Sequence, residues 1–174
     1  MAVVGLYCDF HAQQEQTTTN MLGAMLKQLA SRGISENIRE AYEKAQNEFG
    51  GRGLQLPEML NALKKTIASL PRLFICIDAL DECTPKHRRE LIKSLREIAR
   101  VLPGARIFIT GRPHIDDEIT TCFSKALRIP LSPTHGDITS YLERRLDNDT
   151  EPKAMDAALR ADIMRIIPEK ISEM

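Results

Sequence analysis

Leu73-Phe74-Ile75-Cys76-Ile77-Asp78-Ala79-Leu80-Asp81-Glu82 is the stretch on which the reading of this chain turns. Apolar, partly β-branched residues following Pro71 predict a strand buried on both faces, as found inside parallel sheets, and the run ends in three carboxylates. Acid groups just beyond the carboxyl end of such a strand stand where open α/β sheets bind ligands. Asp78 follows the last apolar strand residue directly, Ala79 is small enough to leave room beside it, and Asp81 and Glu82 come after one more apolar residue. One carboxylate can hold Mg²⁺, usually through water, while another three or four residues on orients a water for attack on a phosphate.

That chemistry belongs to a Walker B element. The competing reading is an acidic turn that caps the next helix, with Asp81 or Thr84 as N-cap and Pro85 in the first helical turn. Two further features bear on the choice, a second strand with a charged tip and the pattern that the two strands make together.

With 174 residues, 43% hydrophobic and 28% charged, the chain is long enough for one globular domain with a sizeable core. Its 24 basic and 24 acidic residues are interspersed and cancel, so no basic face is available to neutralise nucleic-acid phosphates or anionic lipid. Cys8, Cys76, Cys83 and Cys122 are scattered without a CxxC pair, which points to reduced thiols and a cytoplasmic location rather than a disulfide frame or zinc site. No apolar run approaches a membrane span, and Met1 to Tyr7 lacks the regions of a secretory signal.

Taken in order, Val3 to Tyr7 predicts a strand. Met21, Leu22, Met25, Leu26 and Leu29 form a helical stripe, and Ile34, Ile38, Ala41, Tyr42, Ala45 and Phe49 form a second one. The cluster Gly50-Gly51-Arg52-Gly53 lacks a following Lys-Ser/Thr and a preceding strand, so it reads as a loop rather than a phosphate cradle. A third helix starts at Pro57 and carries Met59, Leu60, Leu63 and Ile67 inward. After the acid-tipped strand, Leu91, Ile92, Leu95, Ile98 and Ala99 mark a helix whose Lys86, Arg88, Arg89, Lys93 and Arg96 face outward. Arg106 to Thr110 is a second buried strand ending in Gly111-Arg112-Pro113-His114. Alternating strands and helices predict a doubly wound α/β layer with both strand tips on one edge. Further on, Asp116-Asp117-Glu118 opens a short helix, Ala126 to Leu131 reads as a last strand, and Asp137 caps a helix bearing Ile138, Tyr141, Leu142 and Leu146. The tail from Ala154 has helical spacing that Pro168 interrupts.

Arg112, at the tip of the strand after the acid-tipped one, could reach a terminal phosphate; the simpler alternative is an ion pair with Asp78 or Asp81. His11 and His114 carry no role. Strand, Asp78-Ala79-Leu80-Asp81-Glu82, helix, strand, Thr110-Gly111-Arg112-Pro113 resembles the Walker B and sensor 1 segments of NACHT NTPases of the STAND class. The likeness is to fungal receptor-like proteins whose domain is described as similar to the nephrocystin-3 N-terminal region. Gly5-Leu6-Tyr7-Cys8-Asp9-Phe10, followed by a helix ending Met25-Leu26-Lys27-Gln28-Leu29, is similar to that family's second strand and helix.

The resemblance implies an α/β fold of P-loop NTPase type, a mainly parallel sheet flanked by helices with its central P-loop strand missing and a helical C-terminal tail. Residues 1–150 would be a partial NACHT domain, from its second strand through the last strand and following helix, and 151–174 the truncated start of a helical subdomain. By the same resemblance Asp78 is the metal-associated aspartate, Asp81 or Glu82 the acid that activates water, and Arg112 the nucleotide-contacting sensor. Gly111 stands where many members carry serine. The implied cofactors are Mg²⁺ and ATP or GTP. The implied function is that of a signal-transducing nucleoside triphosphatase acting as a nucleotide-dependent oligomerisation switch, with self-association, protein partners and downstream ankyrin or WD-type repeats in a parent protein. No GxxxxGK[ST] occurs in the sequence, so the chain is expected to bind nucleotide weakly or not at all and to be inactive alone. The alternatives are a non-enzymatic protein-interaction module derived from such a domain and a stand-alone Mg²⁺-dependent phosphohydrolase built on Asp78, Asp81 and Glu82. Neither nucleic acid nor membrane is an expected partner.

Overall fold

The computed structural model describes residues 1–30, 39, 43, 53–149 and 155–172. They divide into two compact units, Met1–Ala126 and Leu127–Met174. The residues of the second stripe, Ile34, Ile38, Ala41, Tyr42, Ala45 and Phe49, and residues 50–52 lie outside the described residues.

The first unit is α/β. Strands β1 (Ala2–Tyr7), β2 (Leu73–Asp78) and β3 (Arg106–Ile109) form one parallel sheet in the order β1-β2-β3, with Val4 opposite Ile75 and Ile75 opposite Ile107. Helix α1 (Thr18–Ala30) and helix α2 (Leu56–Ala68) lie in the crossover from β1 to β2, and α3 (Pro85–Val101) lies in the crossover from β2 to β3. A short α4 (Asp116–Cys122) follows β3. The start of α2 is fixed by Glu58, whose carboxylate accepts the Gln55 N–H at 2.7 Å, with Pro57 in the first turn.

Met21, Leu22, Met25, Leu26 and Leu29 of α1, Leu63 and Ile67 of α2, and Leu91, Ile92, Leu95 and Ile98 of α3 are all buried, on Val4, Leu73, Ile75 and Ile77 of the sheet. Each such side chain contributes about 1.5–3 kcal/mol when fully buried, so the stripes account for both the helices and their docking.

The sheet corrects one expectation. A strand order that never reverses, joined by right-handed crossovers, puts every connecting helix on the same face, so the described part of the unit is singly rather than doubly wound. β2 therefore alternates: Leu73, Ile75 and Ile77 are buried, while Cys76 and Asp78 are exposed. The uncovered face also carries Val3, Tyr7 and Phe108, which are 53%, 73% and 57% exposed. The β1 edge is blunted by Gln28, whose carboxamide accepts the Gly5 N–H at 2.9 Å and donates to the Gly5 carbonyl at 2.7 Å.

A second correction concerns Arg88, expected to face solvent: it is 6% exposed, and its partners are described below.

The second unit contains α5 (His135–Asp147) and α6 (Ala157–Ser172), which pack on each other. The cap of α5 is Thr134, whose hydroxyl accepts the Asp137 N–H at 3.2 Å while the Asp137 carboxylate accepts the Thr134 N–H at 2.9 Å; Asp137 is thus the third helical residue, not the cap. Ile138 and Leu142 are buried but Tyr141 is exposed. α6 runs through Pro168 instead of stopping there, forgoing one backbone bond. Ala126 to Leu131 is not a strand: Leu127, Ile129 and Leu131 are 86%, 70% and 86% exposed, and an apolar alternation without a ladder partner has no backbone bonds to hold it extended.

Candidate functional site

The carboxyl edge of the sheet is shaped by one residue. Ala79 adopts φ 52°, ψ 44°, the only non-glycine residue with positive φ among the described ones. A left-handed alanine costs about 1–2 kcal/mol, and such strain persists only where neighbours over-determine it. Here they come from the tip of β3. The Ala79 N–H donates to Thr110 Oγ1 at 2.9 Å, the Leu80 N–H donates to the Thr110 carbonyl at 3.0 Å, and the Glu82 N–H closes the turn on the Ala79 carbonyl at 2.9 Å. The Thr110 hydroxyl in turn donates to Asp78 Oδ1. One hydroxyl thereby holds both the strained turn and the carboxylate that the turn presents.

The other two acids are placed differently. The Asp81 side chain is only 7% exposed; its Oδ1 accepts the Arg112 N–H at 3.2 Å and its Oδ2 lies 3.4 Å from Arg112 Nε, while the Arg112 side chain is 75% exposed. Glu82 turns toward the tip of β1, where its Oε2 accepts the Phe10 N–H at 2.8 Å and its carbonyl accepts from Gln13 Nε2 at 2.6 Å. The structure thus brings Asp81 and Arg112 together, sets Asp78 with Thr110, and directs Glu82 to Phe10. Among the described residues no group of three or more His, Cys, Asp or Glu converges on a metal position.

The helix-cap alternative is met in part: Thr84 is the N-cap residue of α3 and Pro85 opens its first turn, but the Thr84 side chain makes no cap bond, its buried hydroxyl has no partner among the described residues, and Asp81 bonds Arg112 instead.

Beneath the turn lies a residue that the sequence reading placed on the wrong face. Arg88 donates from Nε and Nη2 to Glu118 Oε2 and Oε1 at 3.0 and 2.8 Å, and from Nη1 to the carbonyls of Asp81 and Cys83 at 3.3 and 3.2 Å. The bidentate bond to Glu118 raises the Arg88 pKa and lowers that of Glu118. One guanidinium ties the acidic turn to α3 and α4. Thr110 too has a role that no motif spacing reports; the signal for it in the sequence is a hydroxyl at the tip of the neighbouring strand.

Two thiols meet beside the turn. Cys8 and Cys83 are each 1% exposed and their Sγ atoms lie 3.1 Å apart. The hydrogen bond with Cys83, burial, and the nearby carboxylates push the Cys8 thiol well up, whereas the same bond and the Arg88 guanidinium lower that of Cys83. His11 packs edge-on against Phe10 with ring centroids 6.0 Å apart, and His114 is exposed.

For Mg²⁺ and a phosphate the fit is one-sided. Mg²⁺ retains most of its water and takes one or two carboxylates beside phosphate oxygens. Asp78, exposed and with one oxygen on Thr110, suits a single such contact, and the exposed Arg112 guanidinium suits a phosphate oxygen. The residues described here supply no cradle of backbone amides for the phosphates themselves.

Residues 1–112 match the family model described as Nephrocystin 3, N-terminal. Neither a curated protein nor a solved structure matches the chain. The match begins with β1, takes in the strained turn at Asp78-Ala79, ends on Arg112 and covers more than half of the 174 residues; the chain belongs to the Nephrocystin 3 N-terminal family.

Proposed function

We propose that this chain carries the acid-and-arginine side of a Mg²⁺-nucleoside-triphosphate switch of the NACHT, STAND-class type, within a P-loop NTPase-like fold. The observation that carries the reading is the left-handed Ala79 turn, which presents Asp78 at the sheet's carboxyl edge beside the Thr110-Gly111-Arg112 tip of β3. Strain kept in place by a neighbouring strand is more consistent with a positioned functional group than with a solvated turn. In this reading Asp78 holds a water of the Mg²⁺ shell and Arg112 contacts the terminal phosphate, with Asp81 holding the guanidinium in place. Glu82, turned toward Phe10, is the weaker candidate for orienting water.

A second reading, a non-enzymatic protein-interaction module, is favoured by the uncovered sheet face, where Val3, Tyr7 and Phe108 are each more than half exposed.

Titration with a fluorescent ATP or GTP analogue and Mg²⁺ separates them. The chain is compared with one extended upstream by a strand and a G-x-x-x-x-G-K-[S/T] loop. Weak binding by the chain alone, and tight binding by the extended chain that is lost in Asp78→Asn and Arg112→Ala, supports the switch. An extended chain indifferent to both substitutions overturns it and leaves the interaction module.

A further inference from the structure

We propose that Cys8 and Cys83 are a redox pair, whose oxidation to a disulfide pins the tip of β1 to the acidic turn after β2. The two sulfurs are already in contact at 3.1 Å although 75 residues separate them in sequence. Both are buried, and Cys83 Sγ also lies 3.9 Å from Met21 Sδ and 3.7 Å from Gln16 Oε1. The Gln16 side chain is held over them by hydrogen bonds with the N–H and carbonyl of Asp9, at 3.3 and 3.1 Å. The backbone on either side is already tied across the same gap, by the Cys8 N–H on the Asp78 carbonyl at 3.0 Å and the Phe10 N–H on Glu82. Joining the sulfurs therefore asks for little movement.

The oxidant is a small hydroperoxide, with hydrogen peroxide as the probe. The Cys83 sulfur attacks a peroxide oxygen: an S–O bond forms, the O–O bond breaks, and the departing hydroxide takes up the thiol proton as water. The Cys8 sulfur then attacks the Cys83 sulfur, an S–S bond forms, the S–O bond breaks, and a second water leaves with the Cys8 proton. Two electrons pass from the thiols to the peroxide. Burial under Gln16 makes the first step slower than oxidation of the exposed Cys76, but contact between the sulfurs makes the second fast relative to further oxidation of Cys83. Once formed, the disulfide fixes Glu82, the residue next to Cys83, against the β1 tip whatever ligand the edge of the sheet binds. The inference stands apart from the nucleotide reading.

The test is peroxide treatment of the reduced full chain, denaturation, alkylation and peptide mass mapping, with thermal unfolding in parallel. The expected result is a joined Cys8–Cys83 peptide pair, separated again by dithiothreitol, with Cys122 still alkylated. The midpoint of unfolding should rise by about 10 °C, because the link closes a long loop of the unfolded chain. Cys8→Ala should abolish both changes while Cys122→Ser keeps them. Free Cys8 and Cys83 thiols once Cys76 has been fully oxidised would overturn the proposal, as would Cys83 driven to sulfinic acid beside a free Cys8. The mapping of the unsubstituted chain decides the matter even where a variant fails to fold.

Discussion

Replacing Arg88 by methionine tests how the acidic turn is held. Methionine keeps most of the length and apolar stem of the side chain but removes four donated hydrogen bonds, two to the Glu118 carboxylate and one each to the carbonyls of Asp81 and Cys83. Breaking a buried ion pair by deleting one partner costs about 3–5 kcal/mol, chiefly through the charge left behind. The Glu118 side chain is 25% exposed, so water reaches the orphaned carboxylate and the cost falls at the low end, about 3 kcal/mol. Unfolding entropy of about 2.1 cal/mol/K per residue, taken over Met1–Ala126, converts this to a fall in Tm of about 11 °C. Urea titration followed by circular dichroism, with calorimetry for Tm, reads both quantities. The companion variant, Arg88→Met with Glu118→Met, removes both charges and should recover much of the loss. A single variant that loses less than about 1 kcal/mol, or a double variant no more stable than the single, would refute the view that Arg88 anchors the turn through a buried charge pair.

Acid titration extends the same test. The bond from Arg88 depresses the Glu118 pKa below its unfolded value, so the contribution is complete above about pH 4.3 and is lost as pH falls through the folded pKa. Glu90, depressed by its bond from the Thr18 hydroxyl and then by His87, adds to the same acid loss. The slope of stability against pH below that value should be visibly shallower in Arg88→Met; equal slopes would mean that Glu118 is not held by Arg88. Gly111→Ala places a Cβ 2.6 Å from Ile115 Cδ1 and 3.3 Å from its Cγ1, and because Ile115 is 1% exposed the shift should cost about 1–2 kcal/mol in urea titration. An unchanged midpoint would show that Ile115 repacks freely. Thr110→Val, which strips partners from the Ala79 N–H and from Asp78, should cost about 1–3 kcal/mol, whereas Asp78→Asn keeps an acceptor and should change stability by less than about 0.5 kcal/mol. The opposite ranking in thermal unfolding would mean that the Asp78 charge, and not the hydroxyl, holds the turn.

The helices of the first unit were legible because each buries one stripe against one surface, which is what apolar spacing reports; Met21 to Leu29 and Leu91 to Ile98 lie inward as the spacing predicts. The strand ends were legible from the abrupt change of apolar residues to acids at Asp78 and to Gly111-Arg112. Which faces of β2 are covered was not, because that depends on the order of strands far apart in sequence. The exposed run Leu127 to Leu131 shows the same gap: alternation states what a strand would need, not whether a neighbour supplies it. Arg88 was a different failure. It lies three, four and seven residues before Leu91, Ile92 and Leu95, on their face of α3, so the periodicity already placed it inward; composition alone made it look like a solvated charge. In the site, the Asp81 and Arg112 pairing was legible as one of two alternatives, while the division of labour among the three acids depended on Thr110 and Phe10, whose roles no spacing reports.

The two functional readings meet on a single surface. Tyr7 pairs with Asp78 in the sheet, and Asp78 shares the uncovered face with Val3, Cys76 and Phe108. A protein partner that covered the apolar part of this face would also strip water from the Asp78 carboxylate, at a cost of several kcal/mol unless it brought a cation or hydrogen-bond donors to that point. A Mg²⁺-bound phosphate meets the same demand with its metal. Whatever closes this face must therefore bring a cation or hydrogen-bond donors opposite Asp78, and that carboxylate cannot by itself tell a nucleotide from a protein surface. The distinction lies back from the carboxyl edge: Val3, level with Phe74, and Phe108, level with Cys76, give a protein apolar area to bury and give a phosphate nothing to bind. Sensitivity to Phe108→Ser thus belongs to the protein-interaction reading, while sensitivity to Asp78→Asn belongs to both.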